Sequence, residues 1–123
     1  MGFFTSSKSK FPWIDLTSSE QLHQIIQESN EHPVLLFKHS TRCSISSMAK
    51  SRFESNWKVT NDVCPTYYLD LIALRPISAE ISELTNVEHQ SPQAIVVKNG
   101  KVIYHASHNG IDTKEIEKLL TSN

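Results

Sequence analysis

Residues 34–57, VLLFKHSTRCSISSMAKSRFESNW, pass from a continuously apolar run into a helical pattern. The run Val34 to Phe37 has the composition of a central parallel strand that is covered on both faces. From Cys43 onward, apolar side chains recur at helical spacing, at Ile45, Met48, Ala49, Phe53 and Trp57. The segment therefore predicts a buried strand, a short loop and a helix that starts at Cys43.

Cys43 is the candidate reactive residue of the chain. The first N–H groups of a helix have no intrahelical partner, and together with the helix dipole they stabilise negative charge. A cysteine at this position therefore tends towards the thiolate, its nucleophilic form, and Arg42, or a protonated His39, would act in the same direction. Three residues later, where a Cys-x-x-Cys oxidoreductase has its second thiol, the chain has Ser46. The pattern predicts a redox site with one thiol.

One strand and one helix are predicted before this segment. The strand is expected at residues 13–16, after a loosely held arm at residues 1–12. Residues 17–20, Thr-Ser-Ser-Glu, have the form of a capping box, which marks the start of a helix. The buried face of that helix is expected to contain Leu22, Ile25 and Ile26.

Two helices and three strands are predicted after Trp57. A second buried strand is expected at residues 67–72, followed by a helix with Pro76 in its first turn. Residues 94–98 and 101–105 flank the turn pair Asn99-Gly100, which is a strong hairpin signal, and residues 112–115 cap the last helix. The expected buried faces of the two helices contain Ile77, Ile81 and Leu84, and Ile116, Leu119 and Leu120.

The resulting order, β-α-β-α-β-α-β-β-α, is that of the thioredoxin fold. We therefore expect an α/β architecture in which helices flank a central mixed β-sheet, formed by residues 13–123 as one domain. Chemistry in open α/β sheets gathers beyond the carboxyl ends of the parallel strands, and Cys43 follows the end of such a strand. Thioredoxin-like proteins also hold a cis-proline facing the active thiol, and Pro92 resembles it by its place before the hairpin. Such a loop would offer the backbone of Ser91 to an extended thiol substrate.

Two stretches, KHSTRCSIS at residues 38–46 and HQSPQ at residues 89–93, resemble the bacillithiol-system YtxJ family, also called monothiol bacilliredoxins. That family typically shows Thr-Cys-Pro-Ile-Ser, to which Cys43, Ile45 and Ser46 correspond. The departures from its pattern are Arg42 and Ser44. Replacing the family proline with Ser44 adds an N–H donor near the sulfur and relaxes the turn.

The resemblance implies that Cys43 removes bacillithiol from oxidised cysteines of client proteins. Bacillithiol would be a co-substrate, the partners would be S-thiolated client proteins, and no cofactor would be bound. Five residues are expected to tune the thiolate or position the substrate: Arg42, Ser44, Ser46, Ser91 and Pro92. Ser46 could donate a hydrogen bond to the thiolate but cannot close an internal disulfide.

Cys64 is the only other cysteine and is expected to be structural. It starts the next parallel strand, at the end of the sheet remote from Cys43. A six-residue strand spans roughly 20 Å, whereas bridged cysteines need Cα atoms within about 7 Å. An internal Cys43–Cys64 disulfide is therefore not expected, and Cys64 is interpreted as an interior residue.

Length, composition and charge restrict the remaining functions. A chain of 123 residues with 38% hydrophobic residues can bury one core, so we expect one domain. We also expect a monomer. The net charge of -1, with both signs mixed along the chain, favours neither nucleic acid nor a membrane surface as partner. The six histidines show no metal-ligand spacing. Two cysteines without a metal-ligand cluster fit a reducing compartment, and we expect a cytoplasmic protein.

Two further functions stay open on the sequence. A glutaredoxin-like monothiol protein would use glutathione or hold an iron–sulfur cluster, although the glycine-rich turn expected beside its cysteine is absent. It predicts iron and colour in freshly purified protein. A non-catalytic thioredoxin-fold binding module would carry Cys43 incidentally, and it predicts that Cys43→Ser leaves the cellular role intact. A cysteine peroxidase is disfavoured because the proline and threonine expected before its thiol are not both present.

Overall fold

The computed structural model describes residues 11–121 and has a five-stranded mixed sheet at its centre. The strands lie in the order β1-β3-β2-β4-β5; β1, β3 and β2 are parallel, and β4 and β5 run antiparallel to their neighbours. The elements are β1 Ile14–Asp15, α1 Ser19–Glu28, β2 Val34–His39, α2 Ser44–Asn56, β3 Thr66–Asp70, α3 Arg75–Thr85, β4 Gln93–Lys98, β5 Lys101–Ser107, a 3-10 helix His108–Gly110 and α4 Thr113–Thr121. The predicted element order and fold class are confirmed, and the 3-10 helix is an addition to them.

Strand β2 lies in the middle of the sheet and contributes to two hydrophobic cores. Val34 and Leu36 pack with helices α1 and α3, whereas Leu35 and Phe37 pack with helices α2 and α4 on the opposite face. All six residues of the strand are buried, as the continuous apolar run predicted. The strand is therefore held from both sides up to the loop that leads to Cys43.

The hairpin turn has the backbone geometry that its sequence predicted. Asn99 and Gly100 have φ values of 55° and 73°, and a two-residue type I′ turn needs positive φ at both positions. Ser29, at the end of α1, accepts from both turn residues: its carbonyl oxygen from Asn99 N–H at 2.6 Å and its hydroxyl from Gly100 N–H at 2.9 Å. The turn is thereby attached to helix α1.

The N-terminal capping prediction is wrong by one residue. Ser18, rather than Thr17, is the N-cap of α1, and its Oγ accepts from the N–H of Gln21 at 3.1 Å. The Gln21 side chain in turn accepts from the N–H of Thr17 at 2.8 Å. The reciprocal pair forms with Gln21 because a side chain at the third helical position can reach back to the residues before the helix.

The predicted N-terminal arm, residues 1–12, overlaps the described part of the chain only at its end, since residues 1–10 lie outside it. Phe11 packs on Trp13 and on Phe53 of α2, with ring centroids 4.6 and 5.8 Å apart. Trp13 Nε1 donates to Glu54 Oε2 at 2.6 Å. Phe11 and Trp13 thus attach the segment before β1 to helix α2.

Four residues of the predicted apolar helical patterns are exposed. They are Ile45, Met48, Leu84 and Leu119, with exposed fractions of 60, 66, 44 and 42%. The buried face of α2 instead contains Ser46, Ala49 and Phe53, one position out of phase with Ile45 and Met48. The apolar pattern did not identify this face because its first position is Ser46, a polar residue that is buried with hydrogen-bond partners.

Candidate active site

Cys43 is the N-cap residue of α2 and lies in the loop between β2 and that helix. Its N–H donates to Ser40 O at 3.1 Å, and its carbonyl oxygen accepts from Ser47 N–H at 3.0 Å. Its side chain is half-buried and makes no capping hydrogen bond to the described helix. The free N–H groups of the first helical turn are therefore available to a negatively charged sulfur.

Ser46, one turn into α2, is fully buried and joined to the end of β2. Its Oγ lies 2.8 Å from His39 Nδ1 and accepts from Ser40 N–H at 3.1 Å. Burial, followed by the positive charge of Lys50, lowers the pKa of His39 below its usual value, so the ring is neutral at neutral pH. The hydroxyl that replaces a second thiol thus links the strand, the loop and the helix around Cys43.

Pro92 lies at the same end of the sheet as the Cys43 loop. Lys38 of β2 pairs with Gln93 of β4, so the antiparallel register brings Pro92 alongside His39. The Ser91–Pro92 peptide bond is cis, and the Pro92 carbonyl oxygen accepts from His108 N–H at 3.0 Å. The structure therefore brings together the two stretches that the sequence analysis singled out.

The other predicted site residues differ in their exposure. Arg42 and Ser44 flank Cys43 and are both exposed. Ser91 is half-buried, and its Oγ is buried without a hydrogen-bond partner among residues 11–121. The Ser91 hydroxyl, next to the cis-proline, is therefore a hydrogen-bonding group that residues 11–121 leave unused.

Sequence reasoning missed the burial of Lys38, which follows the apolar run directly. Its side chain is 0% exposed, and its Nζ lies 3.2 Å from His89 Nδ1, which is also 3.2 Å from Ser78 Oγ. Burial lowers the pKa of Lys38 to about 8. The available signal was its position, because alternation along the strand puts Lys38 on the face of Val34 and Leu36.

Cys64 lies at the end of the sheet opposite to Cys43, as predicted. It precedes β3, and the next residue, Pro65, accepts from Leu35 N–H at 3.0 Å near the start of β2. Both cysteines are free thiols, and Cys64 is fully buried. Burial raises the pKa of the Cys64 thiol to about 12, so it stays protonated at neutral pH.

Neither a metal-ligand cluster nor a membrane-spanning helix is present in residues 11–121. No group of three or more His, Cys, Asp or Glu in this range is arranged to hold a metal ion. No helix there is both long enough and apolar enough to cross a membrane.

Comparison with known proteins gives the family. The family model described as monothiol bacilliredoxin BrxC matches residues 14–116. The chain belongs to this family. A solved thioredoxin-fold structure, provisionally assigned as an oxidoreductase, is 32% identical to this bacilliredoxin; the match covers 87% of this chain and 92% of that chain, with a TM-score of 0.74. Family and neighbour together support a thiol oxidoreductase.

More distant structures show the fold alone. Thioredoxin NaTrxh from Nicotiana alata is 19% identical to this bacilliredoxin, with 94 and 95% of the two chains covered and a TM-score of 0.69. Thioredoxin from Malassezia sympodialis is 20% identical, with 87 and 86% covered and a TM-score of 0.65. The thioredoxin fold therefore extends over most of the chain.

Proposed function

We propose that this bacilliredoxin, of the YtxJ type, uses Cys43 to remove bacillithiol from mixed disulfides on client proteins. The observation that carries the proposal is the pairing of a half-buried thiol at the N-terminus of α2 with a serine, Ser46, at the position of a second thiol. A thiolate can attack a disulfide there, but no second thiol follows it in the helix. The chemistry is therefore a cycle with one thiol.

The first step is thiol–disulfide exchange. The Cys43 thiolate attacks the bacillithiol sulfur of the mixed disulfide, a bond forms between these two sulfurs, and the bond to the client sulfur breaks. The client leaves as a thiolate and takes a proton from solvent. Bacillithiol is now bonded to Cys43, and the number of disulfides is unchanged.

The second step returns the enzyme to its starting state. A second bacillithiol, as thiolate, attacks the bacillithiol sulfur that is bonded to Cys43. The products are bacillithiol disulfide and the free Cys43 thiolate. Over the cycle the client cysteine is reduced, and its bacillithiol group leaves joined to the one added bacillithiol as bacillithiol disulfide, so atoms and electrons balance.

The residues around Cys43 have separate roles in this proposal. The N–H groups at the start of α2, including that of Ser44, stabilise the attacking and the leaving thiolate. Arg42 is exposed and attracts thiolates to the site. The cis-proline loop presents the backbone of Ser91 to the substrate on the opposite side of the disulfide.

Turnover of a defined substrate tests the proposal. A client protein carrying one bacillithiol mixed disulfide is incubated with excess bacillithiol, and its free thiol is followed over time with wild type and Cys43→Ser. We expect release with wild type and only the background rate with Cys43→Ser. Equal rates for the two proteins would contradict the proposal, and release from a glutathione mixed disulfide alone would favour the glutaredoxin-like function.

A further inference from the structure

Lys38 is a buried cation close to the proposed substrate loop, and the exchange cycle above does not use it. Its ammonium has three contacts: His89 Nδ1 at 3.2 Å, and Ser78 O and Ser82 Oγ at 3.4 Å each. A lysine has three N–H donors, so these contacts use all of them. They are long for charge-assisted hydrogen bonds, which are typically about 2.7–2.9 Å.

Burying the Lys38 ammonium at this position therefore lowers the stability of the fold. Its side chain lies on the face of β2 that contributes Val34 and Leu36 to a hydrophobic core. A buried charge with long hydrogen bonds recovers little of its desolvation cost, and an apolar residue of similar size at the same position often makes the protein more stable. Stability alone does not explain a lysine here, whereas its contact with His89 connects it to the substrate loop.

His89 belongs to the segment between α3 and β4, three residues before Pro92. Burial, followed by the charges of Lys38 and Arg75, lowers the pKa of His89, so the ring is neutral at neutral pH. Because Nδ1 faces the Lys38 ammonium, this nitrogen is the acceptor and Nε2 carries the proton. Ser78 Oγ also lies 3.2 Å from Nδ1, so α3 and β2 hold the ring together.

Besides the His89 ring, hydrogen bonds at Pro92 and Gln93 hold this segment among residues 11–121. Pro92 O accepts from His108 N–H at 3.0 Å, and the Gln93 side chain donates to Glu88 O at 3.0 Å. Ser91 Oγ and Gln93 Oε1 are buried without a partner among the described residues. The Lys38–His89 contact is thus one link between this segment and strand β2.

We propose that Lys38 is a positioning residue, which through the His89 ring holds residues 89–92 so that Ser91 and Pro92 face the disulfide attacked by Cys43. The inference rests on the proposed function for the role of residues 91 and 92. The contact it assigns to Lys38 does not depend on that function, so the two can be tested separately.

Hydrogen exchange of single amides tests the positioning directly. Lys38→Met removes the charge, and His89→Leu removes the acceptor at a residue that is exposed and therefore tolerant of substitution. His89→Asn is the matched control, because its Oδ1 can accept a hydrogen bond close to the place of Nδ1. The reporters are His108 N–H, bonded to Pro92 O, and Leu35 N–H, bonded to Pro65 O at the other end of the sheet.

We expect Lys38→Met and His89→Leu to speed exchange at His108 about tenfold, the effect of losing roughly one net hydrogen bond. His89→Asn should stay close to wild type, and exchange at Leu35, which follows the global stability, should be no faster than in wild type in any of the three variants. Unchanged exchange at His108 in both Lys38→Met and His89→Leu would overturn the inference. A uniform increase at His108 and Leu35 would do so too, because it would indicate only a less stable fold.

Kinetics then separate the inference from the proposed function. With a thiolated client we expect KM to rise about tenfold in Lys38→Met and His89→Leu, while iodoacetamide alkylates Cys43 at the wild-type rate. If wild type removes no bacillithiol but the exchange pattern is as expected, the proposed function fails and the positioning contact stands. If wild type is active and these variants match it in KM and in exchange, the inference fails alone.

Discussion

Ser46 Oγ lies 2.8 Å from His39 Nδ1. The residue at the position of a second thiol is therefore hydrogen-bonded to β2, the strand that precedes Cys43. Both side chains are buried, and the same hydroxyl accepts from the N–H of Ser40. A thiol is a weak hydrogen-bond donor and acceptor and would not reproduce these contacts. The site is therefore built around a hydroxyl, which matches a cycle with one thiol.

Ser46→Cys should convert the site to one with two thiols. Residues 43 and 46 stand three positions apart at the start of α2, which is the arrangement of a Cys-x-x-Cys pair. After mild oxidation we expect a disulfide between Cys43 and the introduced thiol, seen as a loss of two hydrogen atoms in the intact mass. Losing the contacts to His39 and Ser40 should lower the free energy of unfolding by about 1–2 kcal/mol. Ser47→Cys, at the exposed neighbouring position, is the control and should form no internal bridge.

Ile45 and Met48 are exposed on α2 next to Cys43 and should contribute to client binding. Exposed apolar side chains gathered near a site are typical of protein interaction surfaces. We expect Ile45→Ser with Met48→Ser to raise KM for a thiolated protein about three- to tenfold, with kcat and thermal stability nearly unchanged. Leu84→Ser, on α3, is the control. An equal rise in KM with Leu84→Ser would show that no local surface is involved.

Lys38→Met should stabilise the protein most at neutral pH. The pKa of Lys38 is lowered from 10.5 to about 8 in the folded state, so between these values the unfolded chain binds more protons and the free energy of unfolding rises with pH. Below pH 8 the folded wild type carries the full cost of the buried charge. We therefore expect the variant to be more stable by about 1–3 kcal/mol at pH 7.

The advantage of Lys38→Met should then shrink as the pH rises from about 8 to 10.5. Denaturant unfolding of both proteins at several pH values measures it. The quantity to compare is the difference in the free energy of unfolding between the two proteins. The raised pKa values of Cys64 and Tyr68 lower the free energy of unfolding as the pH rises, and this effect is the same in both proteins, so it cancels in the difference. A difference that stays constant over this range would show that the charge of Lys38 does not limit stability.

Cys64 should be inert towards alkylation in the folded protein. Burial raises the pKa of its thiol to about 12, so almost no thiolate is present and the reagent has no access. Iodoacetamide at pH 8 should add one group to native wild type and none to native Cys43→Ser. The alkylation rate of Cys43 should exceed that of Cys64 at least about a hundredfold. In denaturant both cysteines should react. Rapid labelling of native Cys43→Ser would contradict the buried position of Cys64.

The position of Cys43 could be predicted because its signals are local. A continuous apolar run marks β2, a change to helical spacing marks α2, and the residue between them becomes the N-cap. The hairpin was equally predictable, since Asn99-Gly100 selects its own turn geometry. These features follow from neighbouring residues and need no distant contact.

The surroundings of Cys43 could not be predicted in the same way. Lys38 is buried because its partners come from residues 40 to 51 positions further along the chain, on α3 and in the segment before β4. Ser46 faces inward because His39, seven residues earlier, meets its hydroxyl. Periodicity counts apolar residues, so the predicted pattern of α2 included the exposed Ile45 and Met48 and omitted the buried Ser46.

Trapping the enzyme-bound adduct shows whether Cys43 is the residue that takes bacillithiol from a client protein. Wild type, Cys64→Ser and Cys43→Ser are each mixed, without added bacillithiol, with a protein carrying a bacillithiol mixed disulfide, and with a glutathione equivalent in parallel. Intact mass then shows which chains have gained the small thiol. We expect a bacillithiol adduct on wild type and Cys64→Ser and none on Cys43→Ser. An equal adduct on Cys43→Ser, or no bacillithiol adduct on any of the three proteins, would contradict the role proposed for Cys43.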